Sequence, residues 1–129
     1  MFDDFLRACH LGDVKMVSSL INKVDPSSEY NLSIRTACYN GHLDVVKLLL
    51  ADSRVDPSDN FNGAIMLASR GGHIDIVRLL LDDSRVDPSV RGDYAIRLAN
   101  RKGYTEIVQL LTEHQFRLDG PEYNKNILT

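Results

Sequence analysis

Apolar positions along this chain fall into a rhythm that restarts about every 31 residues. Between Ala64 and Leu81 the sequence reads AIMLASRGGHIDIVRLLL. Ile65 and Ala68 lie three apart, which gives a short helix one apolar edge. Gly72 ends that helix, as a C-terminal glycine does. A second helix follows, with Ile74, Val77, Leu80 and Leu81 on one face. Asp75 falls in its first turn, where the helix dipole favours a carboxylate, and Arg78 is spaced to pair with it. The segment DDSRVDPS then turns the chain, since proline pushes its predecessor out of helical geometry. The pattern predicts helix, tight turn, helix, extended loop.

That unit is written four times. Gly41 to Asp56, GHLDVVKLLLADSRVD, returns as Gly72 to Asp87, GHIDIVRLLLDDSRVD. A looser copy, GYTEIVQLLTEHQFRLD, runs from Gly103 to Asp119, and a shorter one, GDVKMVSSLINKVD, from Gly12 to Asp25. Asp-Pro pairs stand at 25–26, 56–57 and 87–88, and Ile34, Ile65, Ile96 and Ile127 are each 31 apart. Such a period decides the fold. Neither helix can bury its stripe alone, so like units must stack and share one core. Ala8, Ala37, Ala68 and Ala99 recur at one first-helix slot, where a small side chain lets the two helices approach.

These residues resemble the ankyrin repeat family over roughly residues 1–119, most closely in GHLDVVKLLL. The first-helix signature T-P-L-H-x-A is degraded to LSIRTA (Leu32–Ala37), GAIMLA (Gly63–Ala68) and YAIRLA (Tyr94–Ala99). The period is 31 rather than about 33, and the deficit lies in the loop that would form the hairpin finger. This Asp-Pro-Ser type is similar to repeats common in giant viruses and microbes of amoebae. The resemblance implies an all-α ankyrin repeat solenoid of helix-turn-helix units, with short loops in place of full hairpin fingers. One domain over 1–129 is expected, with units at about 1–24, 25–55, 56–86 and 87–118 and a partial fifth at 119–129. Glu122, Tyr123 and Asn124 match Glu29, Tyr30 and Asn31, and Ile127 keeps the spacing. The end units read as caps. Unit one carries Asp3, Asp4, Lys15, Ser18 and Ser19, and unit four has Thr105 and Thr112 at stack positions.

Composition narrows the function classes. The chain is 43% hydrophobic and 26% charged, with a formal net charge of −3. Residues 1–64 carry six Lys+Arg against nine Asp+Glu, and residues 65–129 nine against nine. Neither half is basic, so no nucleic-acid partner is expected. Apolar runs of four or five residues predict no membrane span, and the start, MFDDFLRACHLGD, predicts no signal peptide. Two cysteines predict no disulfide scaffold. Together these features predict an intracellular, cytoplasmic protein, in the host cytoplasm if it is viral or bacterial.

Candidate chemistry is thin. His42 and His73 share one slot of adjacent units, so their spacing is the repeat period and not a ligand spacing. Tyr104 and Asp13 hold the same slot elsewhere. Cys9 and Cys38 share another. Stacked helices lie about 8–10 Å apart, while a disulfide wants Cα atoms within about 7 Å, so both read as unbridged core thiols. No G-x-S-x-G, Walker loop or H-E-x-x-H is present. The expectation is no enzyme, no cofactor, no metal and no small-molecule substrate. Arg35 and Arg97 share a slot with Met66 between them. Arg54 and Arg85 share another. Such ladders can hold acidic partners, but bridges to Asp25, Asp56 and Asp87 between units are the expected role.

In the ankyrin family partners generally lie along the concave face made by the fingers and the exposed side of the first helices. The resemblance therefore implies partner-binding residues Tyr30, Asn31, Asn60, Phe61, Asn62 and Arg91 in the loops. At the first-helix ends it implies Tyr39, Arg70, Arg101 and Lys102. Tyr30 and Phe61 stand where the usual repeat has glycine. They read either as interface anchors or as a local core folded back on the first helices. The expected function is a non-enzymatic protein–protein interaction module that binds another protein. It would be a monomer unless its C-terminal end self-associates. The alternative is a passive structural or oligomerising segment of a larger ankyrin solenoid.

Overall fold

The computed structural model describes residues 1–119, with side chains described to residue 115. The predicted partial fifth unit at 119–129, with Tyr123 and Ile127, lies outside the described residues but for Asp119, which ends α8. Among the described residues eight α-helices follow one another: α1 Phe2–Leu11, α2 Val14–Leu20, α3 Ser28–Asn40, α4 Leu43–Leu50, α5 Asp59–Gly71, α6 Ile74–Leu81, α7 Val90–Lys102 and α8 Thr105–Asp119. A 3₁₀ turn, Ile21–Lys23, extends α2, and no strand occurs among the described residues. Each odd-numbered helix packs on the even-numbered one that follows it. The odd helices stack in the order α1, α3, α5, α7. The result is the expected helical solenoid, with short loops where hairpin fingers would stand.

The apolar stripes meet, with a shift on α6, where Ile76 is buried with Val77 and Leu80 while the predicted Ile74 and Leu81 are half-buried at the edge of the core. Val45, Val46 and Leu49 of α4 and Ile76, Val77 and Leu80 of α6 are all buried. They join Phe5, Ile34 and Ile65 of the odd helices in one continuous core. Each such side chain contributes about 1.5–3 kcal/mol when fully buried. Ala37, Ala68 and Ala99 are fully buried at their common slot. Gly41 ends α3 in the left-handed region (φ 78°), which lets His42 N–H reach back to Ala37 O. The Asp75–Arg78 pair expected on α6 does not form. Among the described residues the ion pairs are Arg54–Asp52 at 2.7 Å and Arg85–Asp83 at 2.8 Å.

The unit starts are not the plain loops the sequence suggested. Glu29, Tyr30 and Asn31 have φ near +57° inside α3, as do Asn60, Phe61 and Asn62 in α5 and Arg91, Gly92 and Asp93 in α7. Each triplet makes a left-handed turn before the right-handed helix begins. For a non-glycine residue this conformation costs roughly 1–2 kcal/mol, so the surroundings must hold it.

Candidate functional site

Three polar devices hold those turns and join the units. Asp25 Oδ1 accepts from the Ser27 amide (3.0 Å) and hydroxyl (2.6 Å), and Asp56 with Ser58 and Asp87 with Ser89 repeat the arrangement. This Asp-Pro-Ser turn leads the chain into the left-handed triplet. Next, Arg35 donates to the carbonyls of Tyr30 (3.1 Å) and Glu29 (3.0 Å), and Arg97 to those of Gly92 (3.1 Å) and Arg91 (2.8 Å). Arg35 and Arg97 therefore cap the strained turns of their own units. Met66 fills the slot in α5 and is buried. Finally, Asn31 Oδ1 accepts the Asp56 amide and Asn62 Oδ1 the Asp87 amide, each at 2.8 Å, tying one unit to the next.

Two further contacts cross between units. His42 and His73 place Nε2 2.8 Å from the carbonyls of His10 on α1 and Tyr39 on α3, each on the odd helix of the preceding unit. Their rings lie over Gly12 and Gly41, where a Cβ would stand 2.5 Å away. Arg54 pairs with Asp52 of its own loop and donates to Val24 O and Ile21 O of the preceding unit, both at 3.1 Å. Arg85 pairs with Asp83 and donates to Val55 O at 3.0 Å. These arginines do link units, but through backbone carbonyls and not through the expected Asp25, Asp56 and Asp87. The Arg54 hydrogen bond holds the Asp52 carboxyl below its usual range, and the Arg85 hydrogen bond does the same for Asp83.

The predicted partner residues separate into two groups. Asn31 and Asn62 are buried, at 4% and 7% exposure, and their Oδ1 atoms accept the inter-unit bonds. That corrects their assignment to a partner-binding surface. The signal was present in the sequence, since positions 31, 62 and 93 are Asn, Asn and Asp. The other eight residues are exposed. Tyr30 is 73% exposed and Phe61 64%, so neither is folded back as a local core. The Arg91 guanidinium lies 4.7 Å from the centre of the Phe61 ring, a cation–π contact worth about 0.5–1 kcal/mol when exposed.

Tyr39, Arg70 and Arg101 sit at one slot of α3, α5 and α7, two residues before the glycines that end them, with Lys102 beside Arg101. His10 holds that slot on α1. A shallow groove of about 260 Å³, lined mainly by Leu32, Thr36, Tyr39, Leu67 and His10, opens next to this row. Arg70, Arg101 and Lys102 have no ion-pair partner among the described residues.

Cys9 and Cys38 are fully buried and unbridged. Burial pushes the Cys9 thiol up to about 12 and raises Cys38 as well. At the end of the stack, Leu11 (63%) and Met16 (45%) are exposed beside Lys15, Ser18 and Ser19. The expected polar cap of unit one is thus interrupted by an apolar strip.

Comparison with known proteins bears on this arrangement. The family described as ankyrin repeats, in three copies, matches residues 5–91. A chain in the crystal structure of the yeast ribosomal protein Rps3 in complex with its chaperone Yar1 is similar, with a TM-score of 0.68 and 25% identity. The match covers 84% of this chain and 88% of that one, which is the chaperone. A search of curated proteins found no match.

Proposed function

The chain belongs to the ankyrin repeat family, and from that premise we propose that it is a non-enzymatic protein–protein interaction module. It binds another protein through the face made by the unit starts and the exposed sides of α1, α3, α5 and α7. The observation that carries this reading is the exposure of Tyr30 and Phe61 on strained backbone that neighbouring groups hold. Large aromatics kept in water at an energetic cost are what interface anchors require. A rigid stack presents them pre-ordered, so association loses little backbone entropy. The Yar1 chaperone, found in complex with Rps3, offers a precedent for a similar stack engaging a protein.

The module works without cofactor, in the cytoplasm and as a monomer, its partner held off other surfaces by steric exclusion. No helix among the described residues is long and apolar enough to cross a membrane. The test is affinity capture from the native cell, identification of the partner by mass spectrometry, and binding by the double variant Tyr30→Ala, Phe61→Ala. Loss of binding with unchanged thermal stability supports the anchors. Binding as tight as the parent's removes them.

A second reading, an oligomerising or structural segment of a larger solenoid, is favoured by Met16. It stands at the slot where α4, α6 and α8 bury Val45, Ile76 and Ile107, yet is 45% exposed. A further unit stacked there would cover it. Sedimentation of the parent and of Met16→Glu separates the readings, since concentration-dependent association abolished by the substitution favours the second.

A further inference from the structure

We propose that the row at the ends of α1, α3, α5 and α7 takes an extended acidic segment of the partner, anchored by one apolar side chain. This inference rests on the interaction-module reading and names the chemistry of what that module holds. Arg70, Arg101 and Lys102 are exposed and have no ion-pair partner among the described residues. They stand in the last turns of α5 and α7, which contain no acidic residue. The two helix C-termini contribute roughly half a negative charge each. Three full positive charges exceed that, so the row keeps about two positive charges to offer.

At the other end of the row the cations give way to Tyr39 and His10, beside the groove lined by Leu32 and Leu67. Arg35 also borders this groove, but its guanidinium is committed to the carbonyls of Glu29 and Tyr30. The groove therefore receives an apolar side chain, and the free charge begins one unit further along. Successive slots lie about 8–10 Å apart, and an extended chain rises about 3.3 Å per residue. The occupant thus carries an apolar residue, then a carboxylate about three residues on and another about three beyond that. Placed so, the first carboxylate faces Arg70 and the second faces Arg101 and Lys102.

The experiment is selection from a display library of random peptides of about twelve residues, long enough to span the row. Expected binders carry Asp or Glu about three residues apart, following an apolar residue. Their affinity falls at least about fivefold for the triple variant Arg70→Gln, Arg101→Gln, Lys102→Gln. It is unchanged for Lys15→Gln, Lys47→Gln, Arg78→Gln, which removes the same charge from the outer helices. Affinity for the unaltered chain also falls as salt rises from about 50 to about 500 mM, a measurement that needs no variant to fold. Binders without acidic enrichment, or with affinity indifferent to both the triple variant and salt, overturn the acidic segment and leave the module reading standing. If no peptide binds, the acidic segment is again overturned, and the module reading stands or falls on the Tyr30 and Phe61 variants.

Discussion

Asn31 Oδ1 accepts the amide of Asp56 at 2.8 Å, across 25 residues of chain. The same side chain donates to Asp59 at 2.9 Å, so one amide fixes the start of the next unit at two points. It does so from a left-handed position, φ 57°, a conformation that Asn tolerates better than most residues. Asn31→Leu leaves the Asp56 amide without its partner and puts a γ-branched side chain at positive φ. A loss of about 2–3 kcal/mol is expected in urea unfolding. Asn62→Asp should lose less than Asn62→Leu, because a carboxylate oxygen can still accept from Asp87. Equal losses for the two substitutions at position 62 would show that this hydrogen bond matters little.

The histidine stitch makes a sharper contrast between two glycines. Gly103 and Gly41 have nearly the same left-handed backbone, φ 79° and 78°, but a Cβ on Gly103 meets nothing within 4 Å among the described residues while one on Gly41 meets the His73 ring at 2.5 Å. Gly103→Ala should therefore lose about 1–2 kcal/mol, the conformational term alone. Gly41→Ala should lose more, since the ring must move off the Tyr39 carbonyl. In a double-mutant cycle with His73→Ala the excess should vanish.

The stack itself was legible from spacing. Terminal glycines, the alanine slot and the apolar stripes of α4 and α6 all follow from helix periodicity, which depends on residue type and little else. The left-handed turns were not legible, because Glu29, Tyr30, Phe61 and Arg91 are residues that avoid positive φ. Their conformation is held by groups outside the triplet, such as the Arg35 guanidinium in the following helix turns and the Asp56 amide of the next unit. Gly92, Asn60 and the Asn, Asn, Asp series at 31, 62 and 93 carried a local trace. Arg54 and Arg85 were placed between units correctly but with the wrong acceptors, since a backbone carbonyl has no letter in the sequence.

Strain at the exposed aromatics predicts that stability and binding separate. Tyr30 has φ 58° and is 73% exposed, so it contributes little burial. Tyr30→Gly relieves roughly 1–2 kcal/mol of backbone strain against about 1 kcal/mol of added unfolded-state entropy. The variant should be as stable as the parent or up to about 1 kcal/mol more stable by thermal unfolding, while partner binding weakens. A substantially destabilised Tyr30→Gly would mean the ring packs in solution and is no free anchor.

Acid should weaken the fold through the loop carboxylates. Asp52 and Asp83 are held below their usual range chiefly by hydrogen bonds from Arg54 and Arg85. A depressed folded value contributes stability above the unfolded value, about 3.9. That stability is lost as pH falls through the folded value. The urea midpoint should therefore hold steady from about pH 7 to 5 and decline below about pH 4. Arg54→Gln, Arg85→Gln should flatten the part of that decline owed to these two pairs. An unchanged profile would assign acid sensitivity to other carboxylates.

Alkaline pH should act through the core thiols, with the opposite sign. Desolvation raises Cys9 to about 12 and raises Cys38 too, so the folded chain keeps both thiols neutral where the unfolded chain ionises near 8.5. A raised folded value contributes stability that is fully present below the unfolded value. It is lost as pH climbs toward the folded one. Two outcomes follow. Iodoacetamide at about pH 8 should label neither cysteine until the chain is unfolded in urea, since the thiolate is the reactive form. The urea midpoint should fall steadily above about pH 9. Cys9→Ala, Cys38→Ala should start less stable at neutral pH, because each truncation opens space in the core, and should lose that alkaline slope. Ser69 already occupies the same slot with a buried, unbonded hydroxyl, so Cys38→Ser should fold but remain less stable than the parent. Rapid labelling of the folded chain would place the thiols in contact with solvent and refute the packing of α1 against α3 on which the first two units depend.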